Sequence, residues 1–185
     1  MRVIKKQFIR KLNILLISSC LIPLIVNGQN LEDGEWGYFG GDNNFNRYSP
    51  VDQINAGNVD QLSILWRRDA TAASLREDYN GMSFEKNLRS TPLLVDGVLY
   101  APNIFGLVEA FDPATGETVW TQEPYQQTML EAAGISTRGI AYWQQGIDRR
   151  LMVVRGSYLY ALNPETGATF ADFGREEPGR INLAY

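Results

Sequence analysis

Histidine is absent from the 185 residues, and cysteine occurs once, at Cys20. Without imidazole there is no Ser-His or Cys-His triad, no histidine-based zinc site, and none of the commonest general base. A single cysteine permits no internal disulfide. Whatever chemistry occurs must therefore rest on carboxylates, a cofactor or an oxygen-coordinated metal. Long helical periodicity is lacking too, whereas 17 Gly and 8 Pro punctuate many short apolar runs. That disfavours a helix bundle and points to an all-β architecture with frequent turns. What is present is the balance of a chain able to bury a core: 44% hydrophobic and 21% charged residues.

The N-terminus reads separately. Arg2, Lys5, Lys6, Arg10 and Lys11 precede an apolar run from Leu12 to Val26, the layout of a secretory signal peptide with cleavage expected after Gly28. Two alternatives stand beside it. Ile17-Ser18-Ser19-Cys20 can be read as a lipoprotein box, with Cys20 lipidated, and the run can be read as an uncleaved anchor, although Asn13 and Pro23 interrupt it. Loss of residues 1–28 removes five of the 17 basic residues and none of the 21 acidic ones, leaving 12 against 21 and a net charge of −9. So acidic a product is a poor partner for nucleic acid or anionic lipid. Export to the periplasm or cell envelope is the expectation, with membrane association only through the N-terminus.

Residues 29–62 form a polar segment carrying Trp36, Tyr38, Phe39, Phe45 and Tyr48, expected to be irregular, pinned by its aromatics and closed by short helical turns in Asp52–Leu62. Ser63–Arg68 is expected to be a strand. The loop Asp69–Arg89 is too long for a plain connection and is a candidate lid or pocket wall. Thr91–Val95 and Val98–Pro102 flank Asp96-Gly97, the dipeptide suited to a type I′ hairpin. Leu107–Phe111 and Glu117–Thr121 follow as strands on either side of a Pro-Gly turn. Four strands in so short a stretch make one small sheet.

The pattern then returns. Ala110-Phe111-Asp112-Pro113-Ala114-Thr115-Gly116 matches Ala161-Leu162-Asn163-Pro164-Glu165-Thr166-Gly167 at a separation of 51 residues. A repeat of that length containing four strands points to propeller blades. Two blades fall short of the roughly four to eight that close a ring, so residues 63–185 are expected to be part of a larger propeller. The alternative is a chance pair of similar turns in an ordinary sandwich.

Ala110–Trp120 resembles the tryptophan-docking motif of quinoprotein dehydrogenases, the alcohol and glucose dehydrogenases that depend on pyrroloquinoline quinone (PQQ). Trp36–Asp42 with Arg47–Pro50 and Gln53–Asn55, Thr91–Tyr100, and Arg138-Gly139-Ile140-Ala141-Tyr142-Trp143 are similar to three further blocks of that family, and Phe173-Gly174 with Ile181-Asn182-Leu183 follow as in its glucose-type branch. The resemblance implies an eight-bladed β-propeller, incomplete in this chain, in which Trp120 lies between blades against the peptide at Gly167, and Gly116 serves the same purpose in the first copy. Ala171 stands where the second copy would carry its Trp.

The same resemblance implies PQQ as cofactor. PQQ is planar with three carboxylates, and an arginine fork suits its rim. Arg138 is the residue to which that role is carried over, with Arg89 a second candidate. Alcohol-oxidising members tend to have Glu where Arg89 stands, which leans the substrate towards sugars or polyols. No catalytic residue and no metal ligand is assigned within these residues; calcium ligands and the general base are expected from later blades. Asp112 and Asp42 sit in turn contexts, where capping is their expected role. The electron acceptor, quinone or cytochrome, is left open, as are two other readings, a non-catalytic propeller scaffold of the cell envelope and an inactive truncated product.

Overall fold

Asp96 and Gly97 both take positive φ, 50° and 71°, as a type I′ turn requires. They join β1 (Leu93–Val95) to β2 (Val98–Pro102), with Val95 opposite Val98 and Leu93 opposite Tyr100. β3 (Val108–Phe111) and β4 (Thr118–Thr121) complete an antiparallel sheet in the order β1-β2-β3-β4. The turn into β4 is held by Asp112, whose Oδ1 accepts the amides of Ala114 and Thr115 at 2.7 and 2.9 Å. Those amides stabilise the ionised carboxylate and lower the pKa of Asp112, the Thr115 amide most. Asp42 is used in the same way, its Oδ1 accepting from the amides of Asn44 and Asn46.

The structure, a computed structural model, describes residues 34–42, 44–71, 73–78, 88–125 and 137–184, the side chain of Arg138 excepted. The expected signal segment, residues 1–28 with Cys20, lies outside the described residues. Among those described, no helix is long and apolar enough to cross a membrane.

A second sheet repeats the first: β5 (Thr137–Gln145), β6 (Asp148–Arg155), β7 (Tyr158–Leu162) and β8 (Arg180–Asn182), again in chain order and antiparallel. Asn163 takes the part of Asp112, its Oδ1 accepting the amide of Glu165 at 2.7 Å. The fourth strand is where the copies diverge. Thr169 pairs with Leu162 just as Thr118 pairs with Phe111, but the chain then turns away and returns as β8, which places Arg180 opposite Tyr160.

The two sheets share one core. Leu93, Val95, Tyr100, Val108 and Ala110 from the first meet Ile140, Tyr142, Leu151, Val153, Tyr160 and Leu162 from the second. Alternating burial along β1 and β6 is the signature of sheets with one covered face. The molecule is built mostly from strands, and its two sheets do not close into a ring.

The N-terminal segment is tied to the first sheet through its backbone, where Trp36 exchanges hydrogen bonds with Leu94 at 2.8 and 3.0 Å; Tyr38 and Phe39 meet Phe45 edge-on, but Phe39, Phe45 and Tyr48 are exposed rather than anchoring the segment. A single 3-10 turn, Val59–Gln61, closes it. Ser63–Arg68 differs from expectation. It forms no strand and joins neither sheet among the described residues. Its side chains hold it instead. Within the loop 69–89 the structure shows a short helix, α1 (Ala73–Asp78), whose Leu75 packs on Phe105 and Leu107. Residues 79–87 of that candidate lid lie outside the described residues.

Candidate functional site

The first strand of each sheet begins at the same end of the molecule, opposite the Asp96-Gly97 and Gly146-Ile147 turns, and β5 packs against β1 and β2. Three pieces of chain meet at that end: the β2–β3 loop (Asn103–Leu107), the stretch Ala70–Asp78 with α1, and the start of β5. The loop is organised by Asn103, whose Oδ1 accepts the amides of Phe105 and Leu107 at 2.9 and 3.1 Å. Ile104 donates its amide to Ala70 O at 3.1 Å, and Thr137 donates its hydroxyl to Gly106 O at 2.6 Å.

Both candidate arginines lie at this end. Arg89 precedes β1 and is exposed, with no ion pair seen among the described residues. Arg138 is the second residue of β5, and the strand is irregular at that point. Thr137 pairs with Arg155 and Ile140 with Val153, so three steps along β5 oppose two along β6. Arg138 and Gly139 therefore form a β-bulge, a device that bends a strand and re-aims a side chain. A Cβ added to Gly139 would meet nothing within 4 Å. Nearby, the hydroxyl of Thr71, on a residue only 2% exposed, has no hydrogen-bond partner. A buried hydroxyl without a partner is costly, by about 1–3 kcal/mol, and is a place where an arriving acceptor is favoured.

The residues singled out for docking lie away from that end: Trp120 packs against the shared core, and Gly167 belongs to the turn whose Glu165 shares Arg149 with Asp96. Trp120 Nε1 donates to Pro164 O at 2.9 Å, and its ring covers Gly167 so closely that no Cβ would fit there. The same arrangement occurs once more. Trp66 Nε1 donates to Pro113 O at 2.8 Å, and a Cβ on Gly116 would lie 2.7 Å from the Trp66 ring. Arg68 adds hydrogen bonds to Glu109 and Thr118 and lies 4.5 Å over the Phe111 ring. Trp66 was not identified from the sequence, because it stands 54 residues before Trp120 rather than 51 and has no Thr-Gly turn ahead of it. The buried pair of Glu109 and Asn103, joined at 3.0 Å, was also missed, since Glu109 sits inside an otherwise apolar strand.

Two open clefts lie elsewhere. One of about 510 Å³ is lined by Tyr125, Gly167 and Thr169, the other of about 480 Å³ by Phe173 and Arg180; Arg89 lines neither. Among the described residues no group of three or more Asp, Glu, His or Cys could hold a metal ion.

Residues 36–185 match the family described as PQQ: glucose/ethanol/alcohol dehydrogenase, beta-propeller domain. The dehydrogenase subunit of alcohol dehydrogenase (quinone) from Gluconacetobacter polyoxogenes is 33% identical over 141 residues, which cover 70% of this chain and 18% of the relative. Quinohemoprotein alcohol dehydrogenase from Comamonas testosteroni is 32% identical over 60% of this chain and 14% of its own length. Quinoprotein glucose dehydrogenase A from Acinetobacter calcoaceticus is 26% identical over 82% of this chain and 20% of its own. The chain thus spans a fifth or less of the relatives it matches. A family match running from the Trp36 segment through both four-stranded sheets settles the affiliation: the chain belongs to the β-propeller family of PQQ-dependent glucose, ethanol and alcohol dehydrogenases.

Proposed function

We propose that these residues form the first two blades of a periplasmic PQQ-dependent dehydrogenase that oxidises an alcohol or sugar hydroxyl, and that Arg138 grips a carboxylate of the quinone. The bulge at Arg138-Gly139, on the edge strand of the second sheet, is the observation that carries this reading. Further features of the same end suit a planar polycarboxylate. The space over Gly139 is open to a flat group, and Thr71 offers a buried, unpartnered hydroxyl. An arginine fork binds a carboxylate through two parallel hydrogen bonds and stays charged at any working pH. Arg89, exposed where the chain enters β1, is the second cation available at that rim.

When bound, PQQ supplies the acceptor for the two electrons removed from the substrate carbon; the protein supplies position and charge. Calcium would require six to eight oxygen ligands, which we assign to parts of a complete propeller other than these blades. The relatives' names point to both substrate classes: those at 32–33% identity are alcohol dehydrogenases, while the glucose dehydrogenase matches a larger share of the chain at 26%. Arg89, where alcohol-oxidising members tend to carry Glu, favours sugars or polyols. The acceptor beyond PQQ is a quinone or a cytochrome, and export through residues 1–28 places the enzyme outside the cytoplasm.

The test is dye-linked dehydrogenase activity of the complete propeller, reconstituted with PQQ and calcium and offered primary alcohols and aldoses in parallel. Oxidation of either class supports the reading, and turnover of aldoses above alcohols supports the inference from Arg89. Arg138→Ala is expected to raise the PQQ concentration needed for half-maximal activity at least tenfold. Unchanged cofactor demand in that variant would dispose of the assignment.

A further inference from the structure

The bulge at Arg138-Gly139 is held from beneath by a pair of side chains that face each other across β5 and β6. Thr137 and Arg155 are cross-strand partners, and both reach out of their own sheet. Thr137 donates its hydroxyl to Gly106 O at 2.6 Å, and Arg155 donates Nε and Nη2 to Phe105 O at 3.4 and 3.1 Å. Both residues are buried, at 4% and 3% exposure. One cross-strand pair therefore grips two consecutive carbonyls of the β2–β3 loop, and that loop is already stiffened by Asn103.

The fold does not call for an arginine here. The strand registers place Asn103 at the corresponding position of the first sheet, since Tyr100 pairs with Ala110 as Met152 pairs with Ala161, and there the side-chain amide oxygen accepts the amides of Phe105 and Leu107 within its own loop. A short neutral side chain that stays within its own sheet thus satisfies the repeat. A buried guanidinium is costly unless its donors are met by well-placed acceptors, and what this one provides is a fixed geometry between the loop and the strand that bears the bulge.

We propose that Arg155, together with Thr137, is a positioning residue for the cofactor rim: it latches the β2–β3 loop to the base of the bulge and so fixes the backbone from which Arg138 projects. This rests on the role given to Arg138 above. The test is a PQQ titration of the apo-protein carrying the complete propeller, at saturating calcium, followed by quenching of tryptophan fluorescence. It compares the wild type with Arg155→Met, Arg155→Lys, Thr137→Val, Arg138→Ala and the double variant Arg138→Ala/Arg155→Met.

Arg155→Met is expected to weaken PQQ binding at least tenfold, Thr137→Val about fivefold, as loss of one hydrogen bond implies, and Arg155→Lys less than Met because one donor remains. The double variant is expected to bind within twofold of Arg138→Ala, since the latch acts through Arg138. Wild-type affinity in Arg155→Met, with only a lowered melting temperature, would overturn the proposal, and so would losses that multiply in the double variant. If Arg155→Met does not fold, Thr137→Val, nearly isosteric, decides by the same criterion. Wild-type affinity in Arg138→Ala would instead sink the role of Arg138 itself, whatever the latch variants do.

Discussion

A tryptophan lying flat on a glycine leaves no space for a side chain, and this protein makes that contact twice, Trp66 on Gly116 and Trp120 on Gly167. Each ring also donates its N–H to the carbonyl of the Pro three residues ahead of that glycine. Both glycines have φ near 74°, a region costly for other residues. Gly167→Ala and Gly116→Ala are therefore expected to destabilise the protein by similar amounts, about 1–3 kcal/mol from combined strain and overpacking, read as shifts in denaturation midpoint. Tyr100 makes a prediction of another kind. Burial pushes its hydroxyl from 10.0 up to about 12, so between those values the unfolded chain ionises this tyrosine while the folded one keeps it neutral. Its contribution to stability is complete below pH 10 and is lost as pH rises towards 12. Stability measured against pH should fall along an alkaline limb that Tyr100→Phe flattens.

At the scale of elements, the bulge in β5 is one residue more than the sheet needs. Thr137 and Ile140 are both buried although three positions apart, so deleting Gly139 restores an unbroken inward alternation. We expect that deletion to leave the melting temperature of the complete propeller nearly unchanged while abolishing PQQ binding; retained binding would show that the bulge has no part in the site. Local chemistry made much of the fold legible in advance. Asp-Gly between two apolar runs forces a hairpin, and the Asp/Asn-Pro-x-Thr-Gly turns carry their own caps, so the first sheet and the repeat of its turn in the second could be placed from short-range pattern. Ser63–Arg68 could not, because its short apolar run Ile64-Leu65-Trp66 reads as a strand while pairing depends on what lies alongside. The split fourth strand of the second sheet was hidden for the same reason, since nothing within Ala168–Gly179 announces that pairing resumes at Arg180. The site was less legible than the fold. Arg138 was reachable only through resemblance, and Arg155, Thr137 and Thr71 acquire meaning only when the β2–β3 loop is seen against β5.

At the scale of the molecule, two sheets share one core but leave large apolar side chains outside it. Leu62, Ile64 and Leu65 on the unpaired segment are 59–75% exposed, and Val119 on β4 is 58% exposed. Uncovered strand edges beside apolar side chains invite association. Residues 29–185 expressed alone are therefore expected to be poorly soluble and to bind no PQQ, as sedimentation and titration would show; a monodisperse monomer with micromolar affinity would contradict this. On the reading proposed above, the same surfaces become interfaces within a complete propeller, and the end bearing Arg138 faces the cofactor. The measurement that bears most directly on this account is calorimetric titration of PQQ into the calcium-loaded apo-protein with all its blades. One quinone bound per molecule, lost or severely weakened in Arg138→Ala, is the predicted result, and absence of saturable binding to the wild type would contradict it.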